Sequence, residues 1–286
     1  GPAGIFAAEA IRNRDRESSI IMVTADQGVA HSPVMLSYWI AGNRPRESLF
    51  FRNRSWVEKM GVDVRSGCRA SSLNTFSQQL MLAEGDEILY ERLLIATGSK
   101  PMTLPLPGMK SKGIYCLRNL NDAEAILQDS GGIREVVVIG GGFIGLKLTC
   151  HLKERGLEVT VLEKESKLAA RLFDRRTSRI IERRLCQNGI QVETDVEIIE
   201  AFNEDGWVTG VGMKDGRILR CQRVFQTVGV MPNVQWLEGS GILIKGGILV
   251  NDHMETNVEG VYAAGDAVMT IDSVISEWVN NATWPA

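Results

Sequence analysis

Unbroken apolar runs alternate along the chain with glycine-led helical stretches. Val136 to Ile139 are four apolar residues in a row, the pattern of a strand buried on both faces. A helical stretch follows to about Arg155, and Gly156 closes it. Val159 to Leu162 form a second such strand, which ends at Glu163. The opening of the chain repeats this order: residues 5–14 predict a helix and Ile20 to Val23 a strand. Two more short apolar strands, Leu93 to Ala96 and Val261 to Ala264, each run into a glycine, Gly98 and Gly265. Asn119 to Leu127 predicts a connecting helix.

Between the first strand and its helix lie Gly140, Gly142 and Gly145, in the spacing G-x-G-x-x-G. Each glycine has a mechanical task in a dinucleotide-binding turn. Gly140 permits the tight turn, Gly142 lets backbone approach a pyrophosphate, and Gly145 lets helix and strand pack closely. Phe143 and Ile144 lie in the same turn, where the helix start offers N–H groups and partial positive charge to phosphate. Glu163 is placed to bind both ribose hydroxyls of an adenosine, and its charge repels a 2′-phosphate, which favours NADH over NADPH. Lys164 and Lys167 partly offset that preference.

The opening residues align with this unit. Gly1 matches Gly142 and Gly4 matches Gly145, so Gly1, Pro2, Ala3 and Gly4 form a second phosphate turn, with Asp26 as its nearby acid. The strand and first glycine expected ahead of Gly1 are missing, so the natural protein is expected to start a few residues earlier. Two such units imply either two different nucleotides or a tandem repeat that binds one molecule twice.

Composition narrows the class. Apolar residues make up 44% of 286 and the net charge is −3, which fits a globular protein and gives no reason to expect nucleic acid or an anionic membrane as partner. The most apolar stretch, Val136 to Leu146, is too short to cross a bilayer, and residues at the N-terminus show no secretory leader. Five irregularly spaced cysteines (Cys68, Cys116, Cys150, Cys186, Cys221) argue against a disulfide scaffold or a metal site and for a cytoplasmic location.

Three further stretches carry a family resemblance. YERLLIATGSKP (90–101) resembles the ATG motif of FAD-dependent pyridine nucleotide oxidoreductases. FQTVGVMPN (225–233) resembles their strand–Gly–x–Pro–Asn turn, and GILVNDHMETNVEGVYAAGDAV (247–268) their second FAD motif. The resemblance covers nearly the whole chain. It implies an α/β protein of two Rossmann-like dinucleotide-binding domains, the NAD domain inserted in a discontinuous FAD domain. The FAD parts fall at 1–116 and 244–286 and the NAD part at 117–243. The first strand and a C-terminal domain are expected to be missing, since the chain stops at NNATWPA where relatives continue. FAD is expected at Gly1, Pro2, Ala3, Gly4, Asp26, Ala96, Thr97, Gly98, Gly265 and Asp266, and NADH at Gly140, Gly142, Phe143, Ile144, Gly145, Glu163 and Gly229. On spacing alone Gly265-Asp266 also reads as a simple strand-to-loop turn.

The branch follows from what the motif regions contain. HSPVMLSYWIAGN (31–43) holds no cysteine where disulfide-reducing branches place theirs, and no CxxC stands in the NAD part. The resemblance therefore implies a flavoprotein without a redox-active disulfide, which passes electrons to a small redox protein such as rubredoxin or ferredoxin. Similarity to NADH oxidases and nitrite reductase flavin modules keeps those as alternatives, and a non-catalytic nucleotide-binding module is a third. His31 stands where relatives have Tyr and reads as a proton donor or as a packing residue. Lys147 replaces the Glu of G-G-G-x-I-G-x-E. It reads as a cation beside the flavin or the nicotinamide, and otherwise as an exposed lysine that opposes the helix dipole at about 0.3–1 kcal/mol.

Overall fold

The computed structural model describes residues 1–27, 30–129, 131–271 and 278–280. The closing stretch noted above leaves the described residues after Asn280. The chain divides into two units: Gly1–Ser32, Phe50–Lys100 and the chain from Val230 form the first, Pro33–Leu49 and Pro101–Gly229 the second. Among the described residues, no helix is long and apolar enough to cross a membrane.

The second unit is built on a five-stranded parallel sheet. Its strands lie in the order Gln191–Glu193, Glu158–Leu162, Glu135–Ile139, Arg223–Gln226 and Ile114–Tyr115. The run Glu135–Ile139 lies third, in register with neighbours on both sides: Val137 pairs with Thr160 and with Val224. That central place explains why Val136 to Ile139 carry no polar side chain. All four are buried, and each such side chain removed from water contributes about 1.5–3 kcal/mol. One face packs against a three-stranded antiparallel sheet through Val137, Ile139, Val208, Val211 and Val224. The helix Phe143–Glu154 packs on strands Glu135–Ile139 and Glu158–Leu162.

Helix ends in this unit follow local chemistry. Leu120–Gln128 starts in a capping box, where Asn119 accepts from the Asp122 N–H and Asp122 from the Asn119 N–H. Asp174 caps the helix Arg175–Gln187 by accepting from the Thr177 N–H at 2.7 Å. That second helix carries arginines at 175, 176, 179, 183 and 184 and no acid in its first turn. Its like-charged i,i+4 pairs, 175–179 and 179–183, each cost about 0.2–0.5 kcal/mol. Ser178 and Leu185 anchor its inner face, the Ser178 hydroxyl donating to the Leu168 carbonyl at 2.8 Å.

In the first unit the helix Pro2–Arg14 is followed by the strand Ile20–Thr24, which pairs in parallel with Val62–Ser66. A second parallel pair joins Leu93–Ile95 to Val261–Ala263. Around these lie two three-stranded sheets, one antiparallel (Ala70–Leu89) and one mixed, with Ile248–Leu249, Val268–Ile271 and Trp278–Asn280. The core gathers Leu73, Leu80, Ile95, Leu237, Ile248 and Val261.

Candidate nucleotide-binding sites

In the second unit the turn after Ile139 is fixed by backbone geometry. Gly140 has φ +101°, and a Cβ there would stand 2.5 Å from the Thr227 carbonyl oxygen. A Cβ on Gly145 would fall 2.0 Å from the Gly140 carbonyl oxygen and 2.5 Å from the Thr227 hydroxyl, so the helix start could not sit on the turn. In front of Gly142 a Cβ would meet nothing within 4 Å, which leaves the backbone open on that side. Thr227 locks the arrangement by donating its hydroxyl to the carbonyls of Ile139 and Gly140, 2.9 Å from each.

The helix that starts here has Gly142 as N-cap, no side-chain cap and no acid in its first turn. The helices Arg54–Met60, Leu120–Gln128 and Arg175–Gln187, by contrast, are capped by Asn53, Asn119 and Asp174. An uncapped glycine start leaves N–H donors and the positive end of the dipole for an anion. Glu163, at the end of the next strand, accepts from the Gly141 N–H at 2.6 Å and from the Glu165 N–H at 2.9 Å. The carboxylate is thus held beside the turn. Phe143 and Ile144 are about half exposed at the helix start, and Phe143 meets Phe173 edge to face at 5.6 Å. Gly229 follows the strand Arg223–Gln226 with φ +116°, and its carbonyl accepts from the Met102 N–H at 2.9 Å. These residues fit a dinucleotide pyrophosphate: a glycine cradle, an uncapped helix start and a fixed acid come together at the carboxyl ends of parallel strands.

Lys147 lies in the second turn of the same helix. Its ammonium donates to the Val34 carbonyl at 2.8 Å and lies 4.3 Å from the centre of the Tyr38 ring. Burial lowers its pKa. One turn on, the His151 ring also meets Tyr38, tilted by 52° with ring centres 4.4 Å apart. Arg155 donates to the Ile40 carbonyl at 2.9 Å and Asn43 to Glu154 at 2.6 Å. One helix face therefore clasps residues 34–43.

In the first unit three distant stretches converge. A Cβ on Gly4 would stand 3.6 Å from Ala96, and one on Gly265 would stand 3.0 Å from Ala3. Asp266 accepts from the buried Ser99 hydroxyl at 3.0 Å. Thr97 and Asn233 tie their loops together reciprocally, the Thr97 hydroxyl donating to the Asn233 carbonyl and the Asn233 amide to the Thr97 carbonyl. Gly1 caps the helix Pro2–Arg14 without a side chain, and Pro2 takes the first helical position. Asp26 lies two residues beyond the strand Ile20–Thr24, with one oxygen 3.7 Å from His31 Nδ1. His31 is buried, at 7% exposure. This unit, too, places glycine, an uncapped helix start and a carboxylate in the order a dinucleotide needs. Thr227 and Ser99 are the members that sequence reasoning passed over. Each stands within a motif stretch, but only the fold shows its partner.

Elsewhere in the second unit a cavity of about 150 Å³ opens among Tyr115, Ile126, Asp129, Leu152 and Arg223. It lies toward the strand starts, away from the glycine turn, and has no part in the cradle.

Two units with parallel strands, each opening a helix on a glycine turn, define a protein of two dinucleotide-binding folds. The chain belongs to the pyridine nucleotide-disulphide oxidoreductase family, whose description matches residues 1–284. Among its relatives is the NADH-dependent phenylglyoxylate dehydrogenase subunit epsilon of Aromatoleum evansii, 30% identical over 93% of this chain and 63% of the relative. Putidaredoxin reductase CamA of Pseudomonas putida is 28% identical over 100% of this chain and 69% of the relative. The solved ferredoxin reductase for the CYP199A2 system of Rhodopseudomonas palustris superposes with a TM-score of 0.92 at 30% identity, over 97% of this chain and 69% of that one. The chain spans between about a third and two thirds of the length of the curated relatives it matches.

Proposed function

We propose that the chain is the nucleotide-binding part of a flavoprotein oxidoreductase. It would pass a hydride from NADH to FAD and send the electrons on to a small redox protein of the rubredoxin or ferredoxin type. The observation that carries the reading is the pair of uncapped, glycine-led helix starts, each followed by a strand with a carboxylate at or near its end. FAD is assigned to Gly1, Pro2, Ala3, Gly4, Asp26, Ala96, Thr97, Gly98, Gly265 and Asp266, within 1–116 and 244–286. NADH is assigned to Gly140, Gly142, Phe143, Ile144, Gly145, Glu163 and Gly229, within 117–243. When bound, FAD supplies the isoalloxazine ring that accepts a hydride and releases electrons to a protein acceptor.

The chain's own residues bind and orient. Glu163 disfavours a 2′-phosphate by charge. The two lysines that could offset it are engaged elsewhere, Lys164 with Glu197 at 3.6 Å and Lys167 with the Phe173 carbonyl. Both observations support NADH over NADPH. Lys147 is proposed to place a fixed cation that favours hydride transfer. Its anchoring by Val34 and Tyr38 supports a defined position, and Lys147→Ala is expected to slow flavin reduction more than it weakens NADH binding. Burial pushes the Cys221 thiol up to about 12 and raises those of Cys116 and Cys150, which supports a route with no thiol relay. Five free cysteines support a reducing, cytoplasmic setting.

The test is anaerobic mixing of the FAD-loaded protein with NADH or NADPH, followed by a panel of acceptors. The expected result is faster bleaching of the flavin band by NADH, then faster reoxidation by rubredoxin or ferredoxin than by oxygen. Reoxidation by oxygen alone would move the assignment to an NADH oxidase. No bleaching by either nucleotide would leave a binding module and overturn the proposal.

A further inference from the structure

The helix Arg175–Gln187 carries charge that the fold does not use. Arg175, Arg176, Arg179, Arg183 and Arg184 are all exposed, and among the described residues no acid, carbonyl or ring engages their guanidinium groups. Some arginines elsewhere are held, Arg52 by Glu9, Arg134 by Glu158 and Arg217 by Asp215 and Glu193, and others such as Arg14, Arg44 and Arg220 stand exposed, but among the described residues no other helix gathers five. The outer face of the helix sets Arg176, Ile180 and Arg183 at i, i+4 and i+7, with Arg179 beside them. Ile180 is 60% exposed in their midst. Two of the arginines stand in the first turn, against the positive end of the helix dipole. Neither helix stability nor the balance of a chain of net charge −3 accounts for this face.

We propose that this face is a docking surface for an acidic protein partner. The inference is read from charge and exposure and does not depend on the redox assignment. Guanidinium groups pair with carboxylates through two parallel hydrogen bonds and give up hydration more readily than ammonium groups. An apolar side chain ringed by arginines is the composition of an interface centre, where the apolar group is desolvated and the charges find partners. A protein surface with Asp or Glu around one apolar residue complements both features. A nucleic acid would meet the charges and leave Ile180 in water, and a lipid surface calls for a broader apolar stripe.

The test uses the full chain and four fluorescent probes in binding titrations. These are a synthetic amphipathic peptide of Glu and Leu at helical spacing, polyglutamate of equal charge, duplex DNA, and phosphatidylglycerol vesicles. The amphipathic acidic peptide is expected to bind tightest. The R176Q/R179Q/R183Q variant is expected to weaken it by at least about tenfold and to flatten its salt dependence. Ile180→Ser is expected to bring it down to the polyglutamate level. NADH affinity is expected to stay unchanged throughout. Glutamine is as good a helix former as arginine, so the triple variant should keep its fold. If it does not, Arg179→Gln and Arg183→Gln singly carry the test, each with an expected loss of about threefold. Undiminished peptide binding by the folded variants overturns the proposal. So does tighter binding to DNA or vesicles, or a fall in NADH affinity, which would give the arginines to the cofactor.

Discussion

The two glycine turns share a spacing and answer different demands. In the second unit Gly145 is compelled by packing, because a Cβ would lie 2.0 Å from a backbone carbonyl oxygen that Thr227 already pins. In the first unit the equivalent Gly4 has room: its Cβ would make an ordinary contact with Ala96 at 3.6 Å. A motif letter can thus mark a position where nothing else fits, or one where a small residue merely keeps a surface clear. Only the neighbours tell which.

The sharpest way to break this comparison is Gly145→Ala. Overpacking at the turn is expected to cost about 1–3 kcal/mol and to lower NADH affinity by roughly a hundredfold, with FAD content unchanged. Thermal melting and NADH titration read both. Glu163→Gln comes next. It weakens two charge-assisted hydrogen bonds from Gly141 and Glu165 and is expected to cost about 1–2 kcal/mol. The NADH-over-NADPH preference, measured as a ratio of kcat/KM values, should shrink about tenfold.

A smaller effect tests the helix behind the second turn. His151 is buried, its Nδ1 has no hydrogen-bond partner among the described residues, and its pKa lies below the ordinary 6.5. Burial is the main cause and the Lys147 cation adds to it, against a raising influence from Glu154. The unfolded chain therefore binds the extra proton first as pH falls. Stability should be full above pH 6.5 and decline below it, until the folded-state pKa is passed. His151→Phe, which keeps an aromatic ring against Tyr38, should flatten that decline in melts from pH 7 to 5. The smallest expected effect belongs to Gly4→Ala. It should shift stability by less than about 1 kcal/mol, with a gain as easy as a loss because alanine suits a helix better. Equal damage from Gly4→Ala and Gly145→Ala would erase the distinction between the turns.

How much of this was legible beforehand depends on the range of the interactions. The turn at 140–145 could be read because Gly140 takes a left-handed φ and Gly145 lies against the Gly140 carbonyl only five residues back, and the apolar run before it because a central parallel strand is buried on both faces. The connecting helix was legible from Asn119 and Asp122, three residues apart, and the structure shows them as cap and partner. Ser99 and Thr227 were not, since their partners lie 167 and 88 residues away. Lys147 shows both sides: its opposition to the helix dipole is a sequence fact, whereas Val34 and Tyr38 reach it only in the folded chain. The place of residues 33–49 in the second unit was hidden for the same reason, because it rests on contacts with Lys147, Glu154 and Arg155.

The interleaving of the two units also orders events on the ribosome. The parallel sheet of the second unit has all its strands once Gln226 has been made, and the segment that packs beside its helix was made long before. The first unit must wait, because Leu93–Ile95 finds its neighbour only when Val261–Ala263 emerges. During synthesis Leu93–Ile95 stays without its neighbour while the second unit closes. A nascent chain paused where Gln226 has left the ribosome but Val261–Ala263 has not should therefore resist protease from 101 to 229 and stay sensitive around Leu93–Ile95.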